Sequence, residues 1–236
     1  MATALVTGAS SGIGRAVTLE LARAGYRVHA VGRNEKALNE LHASHAGIVP
    51  VRLDVTDRAA VVSALAGLEI DVLVNNAGVM PPLGNFCDTE MADIDFALGV
   101  NVSAVIALTR LVVPQMRACG AGHVFFTGSA AAHAVFADMA VYSATKGAIA
   151  CFAAALRADL SPFGIRVTEI VPGRVETALY RDILDDAAWK AMYSAVRTVQ
   201  PEDVARMVLA VLDLPEWATV PRFDIVPTRP PPIVKG

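Results

Sequence analysis

Short apolar runs alternate with amphipathic helical segments along most of this sequence, and this alternation constrains the fold more than any other feature. Runs typical of β-strands lie at 4–7, 26–31, 48–53, 70–74, 124–127 and 165–171, and the run at 223–226 suits an edge strand. Helical periodicity fills 13–24, 35–44, 58–68, 102–116 and 142–160. Strands joined through helices pair in parallel by right-handed crossovers. The sequence therefore predicts an α/β fold: one doubly wound parallel sheet with helices on both faces, a three-layer sandwich.

Length and charge limit the organisation and the partners. A chain of 236 residues fits a single domain, residues 1–236. The net charge is −3 and the basic residues are scattered, which disfavours nucleic acid and membrane surfaces as partners. The uncharged stretch 118–137 has the length of a membrane span, but Gly120, Gly122 and His123 interrupt it, so we interpret it as loop, buried strand and loop. The first residues have no basic region before their apolar run, which favours a cytoplasmic protein.

The cysteines and histidines show no metal-ligand pattern. Cys87, Cys119 and Cys151 are widely spaced, as expected for free thiols in a reducing compartment. His42 and His45 lie three apart on a predicted helix, but no third ligand is evident nearby, and we interpret them as part of a solvated face. The sequence predicts no metal site.

The turn between the first strand and the first helix contains Gly8, Gly12 and Gly14. Gly8 lets the chain turn, Gly12 lets a pyrophosphate approach the N-terminus of the helix, and Gly14 lets the helix pack closely on the strand. A glycine motif alone is equally consistent with a plain tight turn. The strand before it and the helix after it favour a dinucleotide site in a Rossmann-type fold.

Five motifs in the same order resemble those of the short-chain dehydrogenase/reductase family, and the resemblance covers essentially the whole chain. They are the turn 7–14, the Asn-Asn-Ala-Gly sequence at 75–78, Ser129, the Tyr142–Lys146 motif and the pair Pro172-Gly173. The resemblance implies an oxidoreductase that interconverts an alcohol and a carbonyl compound with a nicotinamide cofactor. The cofactor site that it implies comprises Gly8, Ser10, Ser11, Gly12, Ile13, Gly14, Arg33, Asp54, Val55, Asn76, Ala77, Gly78, Tyr142, Lys146, Pro172, Gly173, Val175 and Thr177.

Four side chains form the predicted catalytic group. Tyr142 and Lys146 share one face of a predicted helix, and the ammonium and a positive nicotinamide favour a phenol pKa below its ordinary value of about 10, so that Tyr142 can exchange a proton with the substrate oxygen. Ser129 follows a predicted strand and can stabilise charge on that oxygen, although a helix cap or ST-turn is the alternative. The resemblance assigns Lys146 also to the nicotinamide ribose. It adds Asn101, which helps to hold a water that passes protons to the lysine, although Asn101 could equally bind helix backbone.

The residues after the second strand distinguish the two nicotinamide cofactors. NAD-binding folds usually place an acid there to bind the ribose diol, but this chain has Gly32. Arg33 follows, and its guanidinium can pair with a 2′-phosphate. The sequence therefore favours NADP(H), with NAD(H) as the alternative.

The substrate and the assembly are less constrained. The resemblance implies a substrate lid at 174–199, where Arg174 and Arg181 could receive a carboxylate. The pattern at 226–228 resembles the branch of the family that oxidises small 3-hydroxy acids. His133 falls near the active-site loop, where it can line the pocket. Larger apolar ketones are an alternative, with a pocket of Val135, Phe136, Met139 and Leu179, and a catalytically silent NADP-binding regulatory protein is another. Excess apolar residues on the helices at 102–116 and 143–160 imply a partner, although a helix buried twice within one chain is the alternative. In the family that the chain resembles, these helices pair across subunits, which implies a homodimer or homotetramer. The prolines at 227 and 230–232 predict a surface tail.

Overall fold

Seven parallel strands form one sheet at the centre of the structure. The computed structural model describes residues 1–181, 183, 186–194 and 198–229. The strands are β1 Thr3–Thr7, β2 Arg27–Gly32, β3 Ile48–Arg52, β4 Val72–Asn75, β5 Gly122–Thr127, β6 Ile165–Pro172 and β7 Arg222–Ile225. Their spatial order is β3-β2-β1-β4-β5-β6-β7. All the predicted strands are confirmed, and β7 is an edge strand that runs parallel to β6.

Helices cover both faces of the sheet. They are α1 Gly12–Arg23, α2 Glu35–Ser44, α3 Arg58–Leu65, α4 Met91–Leu98, α5 Val105–Cys119, α6 Ala140–Leu160, α7 Asp186–Ser194 and α8 Pro201–Leu212. Successive strand residues point to opposite faces. Ala4 and Val6 of β1 therefore belong to the core with α1, α2 and α8, whereas Leu5 belongs to the core with α3, α5 and α6. The predicted three-layer α/β sandwich is confirmed, and its two covered faces explain the continuous apolar runs of the strands.

The longest helical run joins α4 to α5 through a π-helical segment, Gly99–Ala104. It extends the helix predicted at 102–116 back to Met91. The whole run, Met91–Cys119, is long and apolar enough to cross a membrane by length and composition alone. Leu108, Val112 and Met116 are nevertheless buried in the core beside the sheet. This run is therefore a core helix of the sandwich.

The chain after β6 contains two helices that the periodicity analysis did not predict. Helix α8 packs against α1. It begins at Pro201 with a capping box between Gln200 and Asp203, which satisfies backbone N–H groups at its first turn. The predicted tail prolines 230–232 lie outside the described residues, and so do positions 182, 184, 185 and 195–197 of the predicted lid.

Candidate active site

Thr7 fastens the glycine-rich turn to the neighbouring strand end. Thr7 Oγ1 accepts hydrogen bonds from the backbone N–H groups of Asn76 and Ala77 at 2.9 and 3.0 Å. The side-chain amide of Asn76 donates to the Thr7 carbonyl at 3.0 Å. Because β1 and β4 are neighbours in the sheet, two motifs that are distant in the sequence form one surface.

The three glycines leave a cradle of bare backbone at the start of α1. Gly8 and Gly12 have φ angles of +66° and +50°, in the region that favours glycine. A Cβ on Gly14 would overlap the Gly8 carbonyl. The first turn of α1 carries no acidic side chain, and the Ser11 side chain makes no cap hydrogen bond. Exposed N–H groups at a helix N-terminus without obstructing side chains fit a pyrophosphate.

A cleft of about 540 Å³ extends from this cradle across the carboxyl ends of the strands. It brings together nearly all the predicted site residues: Gly8, Ser10, Ser11, Gly12, Ile13, Arg33, Asp54, Val55, Asn76, Ala77, Gly78, Ser129, Tyr142, Lys146, Pro172, Gly173, Val175 and Thr177. Gly14 and Asn101 lie behind this lining. The cleft thus lies where open sheets usually bind ligands, at the strand ends.

Arg33 lies at one end of the cleft. It is exposed directly after β2, where Gly32 supplies no carboxylate. Arg33 also lines an adjoining open groove with Lys36. In the same groove, Arg52 is paired with Glu35 at 3.1 Å. This end of the cleft therefore offers cationic side chains to an anion.

Asp54, which lines the cleft near Arg33, is held in its charged form. The backbone N–H and the hydroxyl of Thr56 donate to Asp54 Oδ1 at 2.9 and 2.7 Å. These hydrogen bonds are the main reason that the pKa of the Asp54 carboxyl is lowered, and Arg33 lowers it further. Asp54 is thus an oriented acceptor at this end of the cleft.

Tyr142 and Lys146 of α6 line the other end. Lys146 Nζ lies 5.7 Å from the centre of the Tyr142 ring and donates to the Thr127 carbonyl at 2.8 Å. Ser129 Oγ accepts from the backbone N–H of Ala131 at 3.1 Å, which caps a short 3₁₀ turn. The Ser129 hydroxyl also interacts with the Tyr142 phenol. The two interpretations of Ser129, cap and site residue, are therefore compatible.

In the chain without cofactor, the pKa of Tyr142 is raised, whereas the lowered pKa that the sequence predicts includes the effect of a positive nicotinamide. Burial raises the pKa of the phenol, and the Ser129 hydroxyl opposes that effect. Burial also lowers the pKa of Lys146 to about 8, which the Glu169 carboxylate opposes. In the chain by itself, loss of hydration disfavours the charged form of both groups. Tyr142 therefore holds its proton at neutral pH.

Asn101 lies in the π-helical segment, a widened turn of the kind often found at functional sites. Its side chain accepts from the Val79 N–H and donates to the Val79 carbonyl, both at 2.8 Å, and donates to Thr145 Oγ1 at 3.1 Å. A Cβ on Gly78 would lie 3.6 Å from Lys146 Nζ. Asn101 thus holds the loop after β4 beside the lysine, by bonds to backbone outside its own helix.

Comparison with known proteins identifies the family. The family model for short chain dehydrogenases matches residues 2–188. The chain belongs to the short-chain dehydrogenase/reductase family. A short-chain type dehydrogenase/reductase of Sinorhizobium fredii is 49% identical over 226 residues, covering 95% of this chain and 91% of that protein. An NADP-dependent 3-hydroxy acid dehydrogenase of Escherichia coli is 32% identical over 232 residues, 94% of each chain. The closed form of serine dehydrogenase complexed with NADP⁺ matches with a TM-score of 0.92 at 32% identity, over 95% of this chain and 94% of that one.

Several residues that line the cleft of this short-chain dehydrogenase were not predicted from the sequence, among them Tyr180, Asp93 and Phe96. Tyr180 lies in a short 3₁₀ turn and influences Tyr142 electrostatically. A single tyrosine in an irregular segment gives no periodic signal. Asp93 and Phe96 belong to α4, the part of the long helix that the prediction left out.

The arginines predicted to receive a carboxylate lie outside the cleft lining. Arg181 pairs with Asp186 at 3.1 Å, and its guanidinium stacks over the Trp189 ring at 3.6 Å. It lines a separate surface groove. Arg174 is partly exposed beside Gly173, outside the cleft lining.

The predicted apolar pocket is only partly correct. Leu179 lines the cleft. Val135 is fully exposed and Phe136 about half exposed, so both lie outside it. Met139 lines a small separate pocket. The apolar wall of the cleft is formed instead by Val79, Met80, Pro81, Pro82 and Phe96.

His42 and His45, which the sequence analysis assigned to a solvated face, each contact the backbone. His42 Nδ1 hydrogen-bonds the Ile48 carbonyl at 2.7 Å, and His45 Nδ1 accepts from the Gly47 N–H at 3.1 Å. Within residues 1–181, 183, 186–194 and 198–229, no three His, Cys, Asp or Glu side chains are grouped as a metal site requires. The cysteines are free and exposed.

Proposed function

We propose that this protein is an NADP(H)-dependent oxidoreductase that interconverts an alcohol and a ketone or aldehyde, and that residues 1–236 act as one catalytic domain. The proposal is carried by one observation: Tyr142, Ser129 and Lys146 meet at one end of a cleft whose other end holds Arg33. Proton-transfer groups and phosphate-binding groups therefore share one continuous space. Membership of the family supports the reaction type.

Tyr142 is the proton donor when the carbonyl is reduced. Its raised pKa keeps the phenol protonated at neutral pH, so it can donate to the substrate oxygen. The Ser129 hydroxyl donates to the same oxygen as negative charge develops there. Lys146 stabilises the phenolate that remains, and Asn101 positions the loop beside Lys146. When bound, the nicotinamide supplies the hydride.

The cofactor is NADP(H) rather than NAD(H). Arg33 presents a planar cation at the strand end where Gly32 supplies no acid for a ribose diol. Relatives named as NADP-dependent cover most of the chain, among them a probable dehydrogenase of Haemophilus influenzae at 34% identity. The glycine cradle and the bare first turn of α1 hold the pyrophosphate.

Two substrate classes follow from different observations. Two relatives are named for small polar compounds: a sulfoacetaldehyde reductase of Chromohalobacter salexigens at 35% identity and the 3-hydroxy acid dehydrogenase. The cleft wall itself is apolar around Met80, Phe96 and Leu179. A small hydroxy acid is the first candidate, and a larger apolar ketone is the second.

A catalytically silent regulatory protein that binds NADP is the alternative from another class. Such a protein would not need Ser129, Tyr142, Lys146 and Asn101 together.

Two further proposals concern localisation and assembly. The protein acts in the cytoplasm. It forms a homodimer or homotetramer through the exposed apolar side chains of the run Met91–Cys119.

Turnover by the purified protein tests the reaction. The protein is assayed with NADP⁺ against a panel of 3-hydroxy acids and apolar secondary alcohols. Tyr142→Phe should abolish turnover and leave NADPH binding, followed by fluorescence, nearly unchanged, because it removes the proton donor and little volume. Tyr26→Phe removes a hydroxyl far from the cleft and should keep full activity. Activity retained in Tyr142→Phe would contradict the mechanism, and NADPH binding without any turnover would favour the silent protein.

A further inference from the structure

Two opposite charges are buried close to the active site. Among the Lys, Arg, Asp and Glu residues that the structure describes, only Lys146 and Glu169 are buried, at 6% and 5% exposure. Removing a charge from water is costly unless an opposite charge or hydrogen bonds compensate it. Lys146 lies on α6 and Glu169 on β6, and α6 packs directly on β6. The two side chains are therefore candidates for mutual compensation.

The end of β5 separates these two charges. Lys146 Nζ donates to the Thr127 carbonyl at 2.8 Å. The Glu169 carboxylate fills the space beside the next residue, Gly128, where a Cβ would overlap Glu169 Oε1. Ser129 follows immediately. Glu169 thus lies behind the strand end that binds the lysine and carries Ser129.

His133 contacts Glu169 on its outer side, and Arg222 contacts His133. His133 Nε2 lies 2.9 Å from Glu169 Oε1, and Arg222 Nη1 lies 3.4 Å from His133 Nδ1. Because the guanidinium is a donor, Nδ1 is the acceptor and Nε2 carries the proton that it donates to Glu169. A neutral imidazole therefore satisfies both contacts. Arg222 also donates to Asp224 at 3.1 Å. A chain of hydrogen bonds therefore leads from Glu169 through His133 and Arg222 to Asp224.

We propose that Glu169 is a positioning residue for Lys146: its buried carboxylate is the counter-charge that keeps the lysine of the active site in its ammonium form. Tyr142 from the same helix and Glu169 from β6 are the ionisable groups that face this ammonium. The importance of the charge for turnover rests on the proposed function, whereas the pairing itself does not.

The chemical consequence concerns the phenol. Burial lowers the pKa of Lys146 to about 8, and Glu169 is the carboxylate that opposes this change. Without Glu169, the lysine would lose its proton closer to neutral pH. A neutral lysine cannot stabilise the Tyr142 phenolate. Glu169 therefore extends the pH range in which the active site works.

The direct test is an NMR titration of ¹³C-labelled lysine side chains in the protein without cofactor. The other lysines are Lys36, Lys190 and Lys235, so Lys146→Gln identifies the Lys146 signal. Glu169→Gln keeps the shape of the side chain and removes its charge, and we expect it to lower the Lys146 pKa by about one pH unit or more. Glu169→Asp keeps the charge and should remain closer to wild type. An unchanged Lys146 pKa in folded Glu169→Gln would overturn the proposal.

The titration needs neither cofactor nor substrate, so it decides the pairing even when no alcohol is oxidised. If the proposed function is correct, the alkaline limb of kcat/KM for alcohol oxidation should also move to lower pH in Glu169→Gln. A purely structural role would lower activity by the same factor at every pH. That outcome would remove Glu169 from the active-site chemistry.

A second comparison applies if Glu169→Gln does not fold well enough to titrate. Lys146→Gln alone leaves the Glu169 carboxylate buried without the ammonium, whereas Lys146→Gln/Glu169→Gln removes both charges. The double variant should therefore have a higher Tm than Lys146→Gln. A lower Tm in the double variant would show that the two charges do not compensate each other.

Discussion

Arg33 is the residue on which the proposed cofactor choice depends. A charge-assisted bidentate contact contributes roughly 1.5–3 kcal/mol, which corresponds to a preference for NADP(H) of about tenfold to somewhat over a hundredfold. Gly32→Asp with Arg33→Ser should reverse it, because the new carboxylate accepts from the ribose diol and repels the phosphate. A Cβ at position 32 would lie 3.2 Å from Ser10 Oγ and 3.3 Å from Ser10 Cβ, so Ser10 must shift slightly to accept it.

The measurement is kcat/KM with NADPH and NADH for both proteins. Arg23→Ser, which removes an arginine from the far end of α1, is the matched control and should keep the wild-type ratio. A wild type that favours NADH would contradict the proposed cofactor. A double variant that still favours NADPH would show that another residue binds the 2′-phosphate.

Site residues could be predicted from the sequence where they belong to short motifs whose spacing indicates their role. Gly8, Tyr142 and Lys146 stand at spacings that have a local meaning, so their placement in the cleft could be anticipated. Glu169 could not be found in this way, since its role follows from packing between β6, α6 and the end of β5. Burial raises the pKa of Tyr142 in the chain without cofactor, and the sequence did not predict this effect because the extent of burial is a property of the folded chain.

At the scale of elements, the pair β5–β6 contains a buried histidine that makes the folded protein less stable at low pH. His123 stacks on Phe125 with ring centres 4.0 Å apart, and its Nε2 hydrogen-bonds Thr168 Oγ1 at 2.8 Å. Burial lowers the pKa of His123 to about 3. In the unfolded chain the imidazole binds its proton near pH 6.5. The unfolded state therefore takes up more protons between these values, and the protein loses stability as the pH falls through this window.

We expect His123 to account for about 2 kcal/mol of the loss in unfolding free energy between pH 7 and pH 5. His123→Gln keeps a donor and cannot titrate, so its unfolding free energy, measured in urea, should fall by about that much less. His45→Gln, in the loop after α2, is the matched control and should follow the wild type. Equal losses in wild type and His123→Gln would show that the buried imidazole is not the group that takes up the proton.

Element prediction failed where local sequence gave a mixed signal. The strands were found because both faces of the sheet are covered and their runs are continuously apolar. The start of the long helix was missed because Gly99 lies within it and the π-helical segment interrupts the regular 3.6-residue period. Helix α8 carries start signals at Gln200, Pro201 and Asp203, but it follows an irregular segment that was interpreted as a lid.

At the scale of the whole molecule, exposed apolar side chains predict self-association. Leu98, Ile106 and Leu111 are 45%, 38% and 42% exposed on the run Met91–Cys119. Light scattering at micromolar concentration should give at least twice the chain mass of 24.8 kDa. Leu111→Glu should reduce that mass, because a charge would be buried in the interface, whereas Val62→Glu on α3 should not. A wild-type monomer would contradict the prediction.

The cleft takes its lining from the ends of six strands, through Gly8, Arg33, Asp54, Asn76, Ser129 and Gly173. A nascent or partly unfolded chain therefore has no cofactor site, and binding selects molecules in which the sheet is complete. By mass action, free cofactor at a hundred times its Kd adds about 2.7 kcal/mol to the stability of those molecules. The resistance of the chain to proteases, and hence its lifetime in a cell, should follow the supply of the nucleotide that it uses.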